Sequence, residues 1–171
     1  MKGPVASGKG EIEVLVFSDK DYSKKIIELS SSVSSSFSRI CYVTLNKPSS
    51  VVSESLKKSG VSTEKFFFVD CTGKPERKEG QAVYVSSPKA LTEMSITITK
   101  VLELGKVDAL IFDSLSTLMI YEEPSVVLKF FHSVLSSLRS RRVSGFFVCL
   151  KGGTGSGVLK DISMFADRVV E

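Results

Sequence analysis

The stretch KVDALIFDSLSTLMIYEE (residues 106–123) reads as a buried strand that ends in a carboxylate, and the rest of the chain can be arranged around it. Val107, Ala109, Leu110, Ile111 and Phe112 make an apolar run, closed by Asp113 and Ser114. Such a run suits a central parallel strand covered on both faces. An Asp at the carboxyl end of a strand can hold magnesium directly or through water. Equally, Asp-Ser can satisfy backbone groups at a strand-to-helix turn with no metal involved. The neighbouring segments have to decide between the two.

Upstream, Ser87-Pro88 predicts a helix start, a Ser N-cap with Pro at the first helical position. Leu91, Met94, Ile98, Val101 and Leu102 supply its buried face up to Gly105. Before it lie a brief extended piece (82–85), a solvated loop TGKPERKEGQ (72–81) and an apolar strand KFFFVDC (65–71). Earlier still, RICYVTL (39–45) is a strand, and a short helix from Ser49 or Ser50 carries Val51, Val52 and Leu56 until Gly60 stops it. The chain begins its order with the strand EIEVLVF (11–17) and a helix over 19–37 bearing Ile26, Ile27, Leu29, Val33 and Phe37.

Downstream, residues 113–124 read as a loop, and Pro124 opens an amphipathic helix through Val127, Phe130, Phe131, Val134 and Leu138. SGFFVCL (144–150) is a strand, KGGTGSG (151–157) a glycine-rich turn read as a mobile loop with anion binding through its amides as the alternative, and a last helix carries Leu159, Ile162 and Phe165 before a short edge strand over 167–171. Strands alternating with helices predict a three-layer, doubly wound α/β fold with a mainly parallel sheet.

With 171 residues and 42% hydrophobic content, the chain predicts one domain, residues 11–171, behind a flexible leader of residues 1–10. Lys and Arg exceed Asp and Glu by 23 to 19, too small and dispersed a surplus to argue for nucleic acid. The basic group Arg139, Arg141 and Arg142 sits where a helix should end, where it favours the helix dipole. Cys41, Cys71 and Cys149 lie far apart in apolar runs and read as buried thiols, not as a metal site or disulfide framework. His132 has no partner at metal-ligand spacing and reads as a surface or boundary residue. No apolar stretch is long enough to span a bilayer, so a cytoplasmic protein is expected.

Two segments bear on phosphate binding. GPVASGKG (3–10) fits G-x-x-x-x-G-K, but no strand precedes it, a strand follows it, and Gly10 lacks the hydroxyl that would bind magnesium. The turn SDKDYSKK (18–25) has the right strand-turn-helix context. There Ser18 and Ser23 take the glycine positions, Lys24 the lysine position, and Lys25 replaces the Ser/Thr. In an open parallel sheet ligands bind beyond the carboxyl ends of the strands, which is where this turn and Asp113 should converge.

Several strings together carry a family resemblance: VDALIFDSLSTLMIYEEPSVVLKFFHSVLSSLRSR (107–141), VYVSSPKALTEMSITITKVLELGKVD (83–108) and ISMFADRVV (162–170). They resemble the KaiC-like branch of the RecA superfamily of P-loop ATPases over nearly the whole chain. The resemblance implies a RecA/P-loop-like fold with Asp113 at the Walker B position. It also implies a vestigial nucleotide site made of Ser18, Ser23, Lys24, Lys25, Asp113 and Ser114, with Asp113 as metal ligand only if magnesium is bound. The departures from the family are specific. Serines replace the glycines that let backbone amides reach phosphate, and Asp19 and Asp21 set two carboxylates against a polyanion. Asn46 stands near the position of the acidic catalytic residues and cannot take a proton. The expectation is a non-catalytic domain with no cofactor that binds a protein partner or a second copy of itself, with residues 72–81 as a candidate contact. The alternative is an ATP-binding protein or ATPase that uses ATP and magnesium with an unconventional phosphate loop. Single-stranded nucleic acid is argued against, because the phenylalanines lie in strands or on buried helix faces.

Overall fold

The computed structural model describes residues 8–73, 81–153 and 155–171. Among them seven strands form one sheet: β1 (Ile12–Phe17), β2 (Ile40–Thr44), β3 (Phe66–Asp70), β4 (Ala82–Tyr84), β5 (Ala109–Asp113), β6 (Ser144–Leu150) and β7 (Arg168–Val170). Every pairing is parallel, in the order β4-β3-β2-β5-β6-β1-β7. The helices are α1 (Tyr22–Ser36), α2 (Ser49–Lys58), α3 (Leu91–Leu104), α4 (Leu115–Tyr121), α5 (Pro124–Ser140) and α6 (Ser156–Phe165).

The apolar strands have two buried faces because side chains alternate across the pleat. Val14, Cys41, Leu110, Phe112 and Phe147 pack on one face with the buried sides of α3, α4 and α5. Leu15, Tyr42, Ile111, Phe146 and Val148 pack on the other, under α1 and α2. The outcome is the three-layer α/β arrangement expected from the order of the elements. At the β7 edge, Arg168 stands directly opposite buried Glu13 of β1 and meets its carboxylate at 3.1 Å. Burial raises the Glu13 pKa, and Arg168 opposes the shift.

Three local expectations are corrected. Residues 113–124 are not a loop: α4 occupies most of them, because Ser114 caps it by accepting from Thr117 N while Leu115 and Leu118 turn into the core. The helix expected from Ser87-Pro88 begins at Leu91, because a turn closes over the proline first, with Lys89 N donating to Ser87 Oγ at 3.1 Å and Ala90 N to Ser87 O at 3.0 Å. The helix expected from residue 19 begins at Tyr22. Gly60 does end α2, at φ +79, and Val61 N reaches back to Leu56 O.

Residues 1–7, 74–80 and 154 lie outside the described residues, and with them most of the expected leader and of the 72–81 loop. The last part of the leader is tied to β6: Gly10 N donates to Ser144 Oγ at 2.9 Å, and Ser144 Oγ donates to Gly8 O at 3.2 Å. No helix among the described residues is long and apolar enough to cross a membrane.

Close packing of α5 on the sheet needs a bare backbone at Gly145, where a Cβ would sit 2.8 Å from Leu138 Cδ1 and 2.9 Å from Phe147 Cε2. Gly145→Ala should therefore destabilise by about 1–3 kcal/mol through overpacking. Gly157→Ala, with nothing within 4 Å on α6, should be neutral or slightly stabilising. Urea unfolding of the two variants checks the contrast.

Candidate functional site

Parallel pairing throughout puts the carboxyl ends of all seven strands on one edge. β1 passes into α1 through residues 18–21, and this turn closes on itself. Asp21 N donates to Ser18 O at 3.1 Å, and Ser18 Oγ donates to Asp21 Oδ2 at 2.8 Å. The helix then starts with Tyr22, and its phase is set from there. Tyr22 and Ile26, four residues apart, share the face turned to the sheet. Lys24 is two positions on, about 200° around the helix, and points away. Its side chain is 78% exposed and lies 3.8 Å from Glu28. Lys25 lies 3.6 Å from the same carboxylate, and Ser23 is exposed.

Tyr22, not Lys24, reaches Asp113. The Tyr22 hydroxyl lies 2.5 Å from both carboxylate oxygens, and the Tyr42 hydroxyl donates to Oδ2 at 2.7 Å. Asp113 is 4% exposed. Burial raises its pKa, while the Tyr22 and Tyr42 hydrogen bonds and then the charge of Lys47 pull it back. The two tyrosines are pushed upward, chiefly by burial and next by the Asp113 charge. A cation at Asp113 would have to compete with these donors for the same oxygens.

The expected serines Ser114 and Ser18 have structural partners, and so has Ser116 beside them. Ser114 Oγ accepts from Thr117 N and lies 3.0 Å from Thr117 Oγ1. Ser116 Oγ accepts from Leu150 N at 2.7 Å, which ties the start of α4 to the end of β6. Ser18 is committed to the 18–21 turn. Sequence reading missed Tyr22 and Tyr42, although a tyrosine inside an apolar strand signals a buried hydroxyl in need of a partner. It also missed Asp70, a second buried carboxylate at this edge, separated from Asp113 in the register only by Thr44. Asp70 accepts from Ser49 N at 2.7 Å and from Thr72 N and Oγ1 at 3.0 and 2.6 Å. It thereby supplies the N-terminal cap of α2 that Pro48 cannot.

Among the described residues no group of three or more His, Cys, Asp and Glu could hold a metal ion. His132 is exposed, 4.0 Å from the Phe165 ring centroid. The three thiols are buried and form no disulfide, and burial pushes Cys41 up to about 12. In the glycine-rich turn, Gly152 takes φ +84 and Gly153 N returns to Leu150 O. Beside the Tyr–Asp–Tyr cluster, a cleft of about 310 Å³ opens between α1 and α2.

A profile described as a family of unknown function (DUF7504) matches residues 14–171. The chain belongs to that family. No curated protein matches it. Among solved structures, this DUF7504 chain is similar to a KaiC-like protein from the hyperthermophilic archaeon Pyrococcus horikoshii, with a TM-score of 0.70 at 13% identity over 99% of this chain and 78% of that one. It is also similar to an uncharacterized protein from Pyrococcus horikoshii in complex with an unknown peptide, with a TM-score of 0.72 at 14% identity over 95% of this chain and 77% of that one. The fold is therefore KaiC-like.

A folded tyrosine whose pKa is raised contributes stability that is fully present below the unfolded value of about 10 and is lost as pH climbs above it. Tyr22 and Tyr42 should thus ionise only as the protein unfolds in alkali. Absorbance at 295 nm followed with far-ultraviolet circular dichroism should show a late phase that coincides with unfolding, and Tyr22→Phe should shrink that phase. The same variant removes a donor that lowers the Asp113 pKa. Its carboxyl ¹³C titration should therefore move to higher pH.

Proposed function

We propose that this DUF7504 chain is a RecA-like domain without ATPase activity that serves as a protein-binding or regulatory module. The observation that carries the reading is the Tyr22 hydroxyl on both oxygens of Asp113, with Lys24 turned out to Glu28. At the site implied by Ser18, Ser23, Lys24, Lys25, Asp113 and Ser114, a phosphate loop would need backbone amides and a lysine aimed at the anion. Here the 18–21 turn engages its own amide and the lysine faces solvent. Exposed Asn46 carries no basic group to activate water.

A binding role draws support from the Pyrococcus horikoshii protein of the same fold that was solved with an unknown peptide. Buried thiols without disulfides are compatible with work in a reducing compartment such as the cytoplasm.

Calorimetric titration with ATP and ADP, with and without magnesium, should give no binding heat up to millimolar nucleotide, and Lys24→Ala should change nothing. Magnesium-dependent binding in the micromolar range that Lys24→Ala abolishes would overturn the reading.

A further inference from the structure

The cleft between α1 and α2 has the features of a ligand site in its own right. Its volume of about 310 Å³ falls at the lower end of the roughly 300–1,000 Å³ typical of small-molecule pockets. Ile26 and Ile27 of α1 and Val52 and Leu56 of α2 line it, together with Tyr42. The body of a ligand held there is therefore apolar.

Charge at the cleft decides the rest. Asp113 lines it, but both its oxygens are covered by tyrosine hydroxyls, so it offers little to a cation. Lys58 is held by Glu54 at 3.1 Å. Lys47 is exposed, and among the described residues no carboxylate lies within ion-pair distance of it. Among those residues the cleft thus presents, beside apolar walls, a cation that has no ion-pair partner, although its charge also acts on Asp113. We propose that it binds a small amphipathic anion, a compact apolar ring or branched chain bearing a single acidic group that pairs with Lys47. A nucleotide is a poor match, since its polyphosphate would need more than one lysine and its sugar would meet isoleucine and leucine. The cleft would take the amphipathic anion whether or not a nucleotide binds at the carboxyl edge.

The probe is 8-anilinonaphthalene-1-sulfonate, an aromatic body with one sulfonate. Its fluorescence should rise saturably with the folded protein, and amide shifts in ¹H–¹⁵N spectra should centre on residues 22–27, 47 and 52–59. Ser55 is exposed on α2 and lines the cleft, so Ser55→Trp should fill the space without touching the core and abolish binding. Lys47→Ala should weaken it about tenfold, the scale of one lost charge-assisted contact. Absence of saturable binding would overturn the proposal, as would unchanged affinity in either variant. So would shifts centred on the second apolar groove, beside Val83, Lys100 and Leu104.

Discussion

A carboxylate withdrawn from water must be given hydrogen-bond donors or lose its charge, and Asp113 is the residue at which this protein meets that requirement. The donors come from two places far away in the chain: Tyr42 inside β2 and Tyr22 at the first position of α1. Three segments are thereby pinned at one point. β5 brings the acceptor, its neighbour β2 one donor, and the helix after β1 the other, across the intervening β6. Neighbouring strands lie about 4.8 Å apart, so a side chain reaching from the end of β1 toward β5 must cover about two spacings. A tyrosine spans much of that distance; a serine does not.

The phase of α1 is a consequence of this anchor. With Tyr22 and Ile26 turned inward, Lys24 must face out, and no rotation of the helix can bring both to the sheet. The tight 18–21 turn and the outward lysine result from one packing decision, and so does the cleft that α1 leaves toward α2. The second buried carboxylate, Asp70, is committed in a similar way to the first amide of α2. Both buried carboxylates at this edge thus hold helices in place, and each of their oxygens already accepts at least one hydrogen bond.

Much of the fold was legible in the sequence because apolar runs of strand length, broken by glycine, proline and serine, have few alternatives in a chain of this size. The interior strands, the edge strand at residues 168–170 and the Gly60 stop all derive from such local signals. The position of Asp113 at a strand end was legible for the same reason. α4 was not, because Ser114 can close a turn or cap a helix equally well, and seven residues carry too little periodicity to choose.

By itself, then, the sequence determined the layers: which segments are strands and which faces are apolar. Only the tertiary structure decided which side chain meets Asp113. Tyr22 and Asp113 are 91 residues apart, and local periodicity holds no information about a contact made by helix phase across a sheet. Burial makes the choice, since the low-dielectric edge rewards the nearest hydroxyl that can satisfy the carboxylate and lets the longer, charged lysine remain in water.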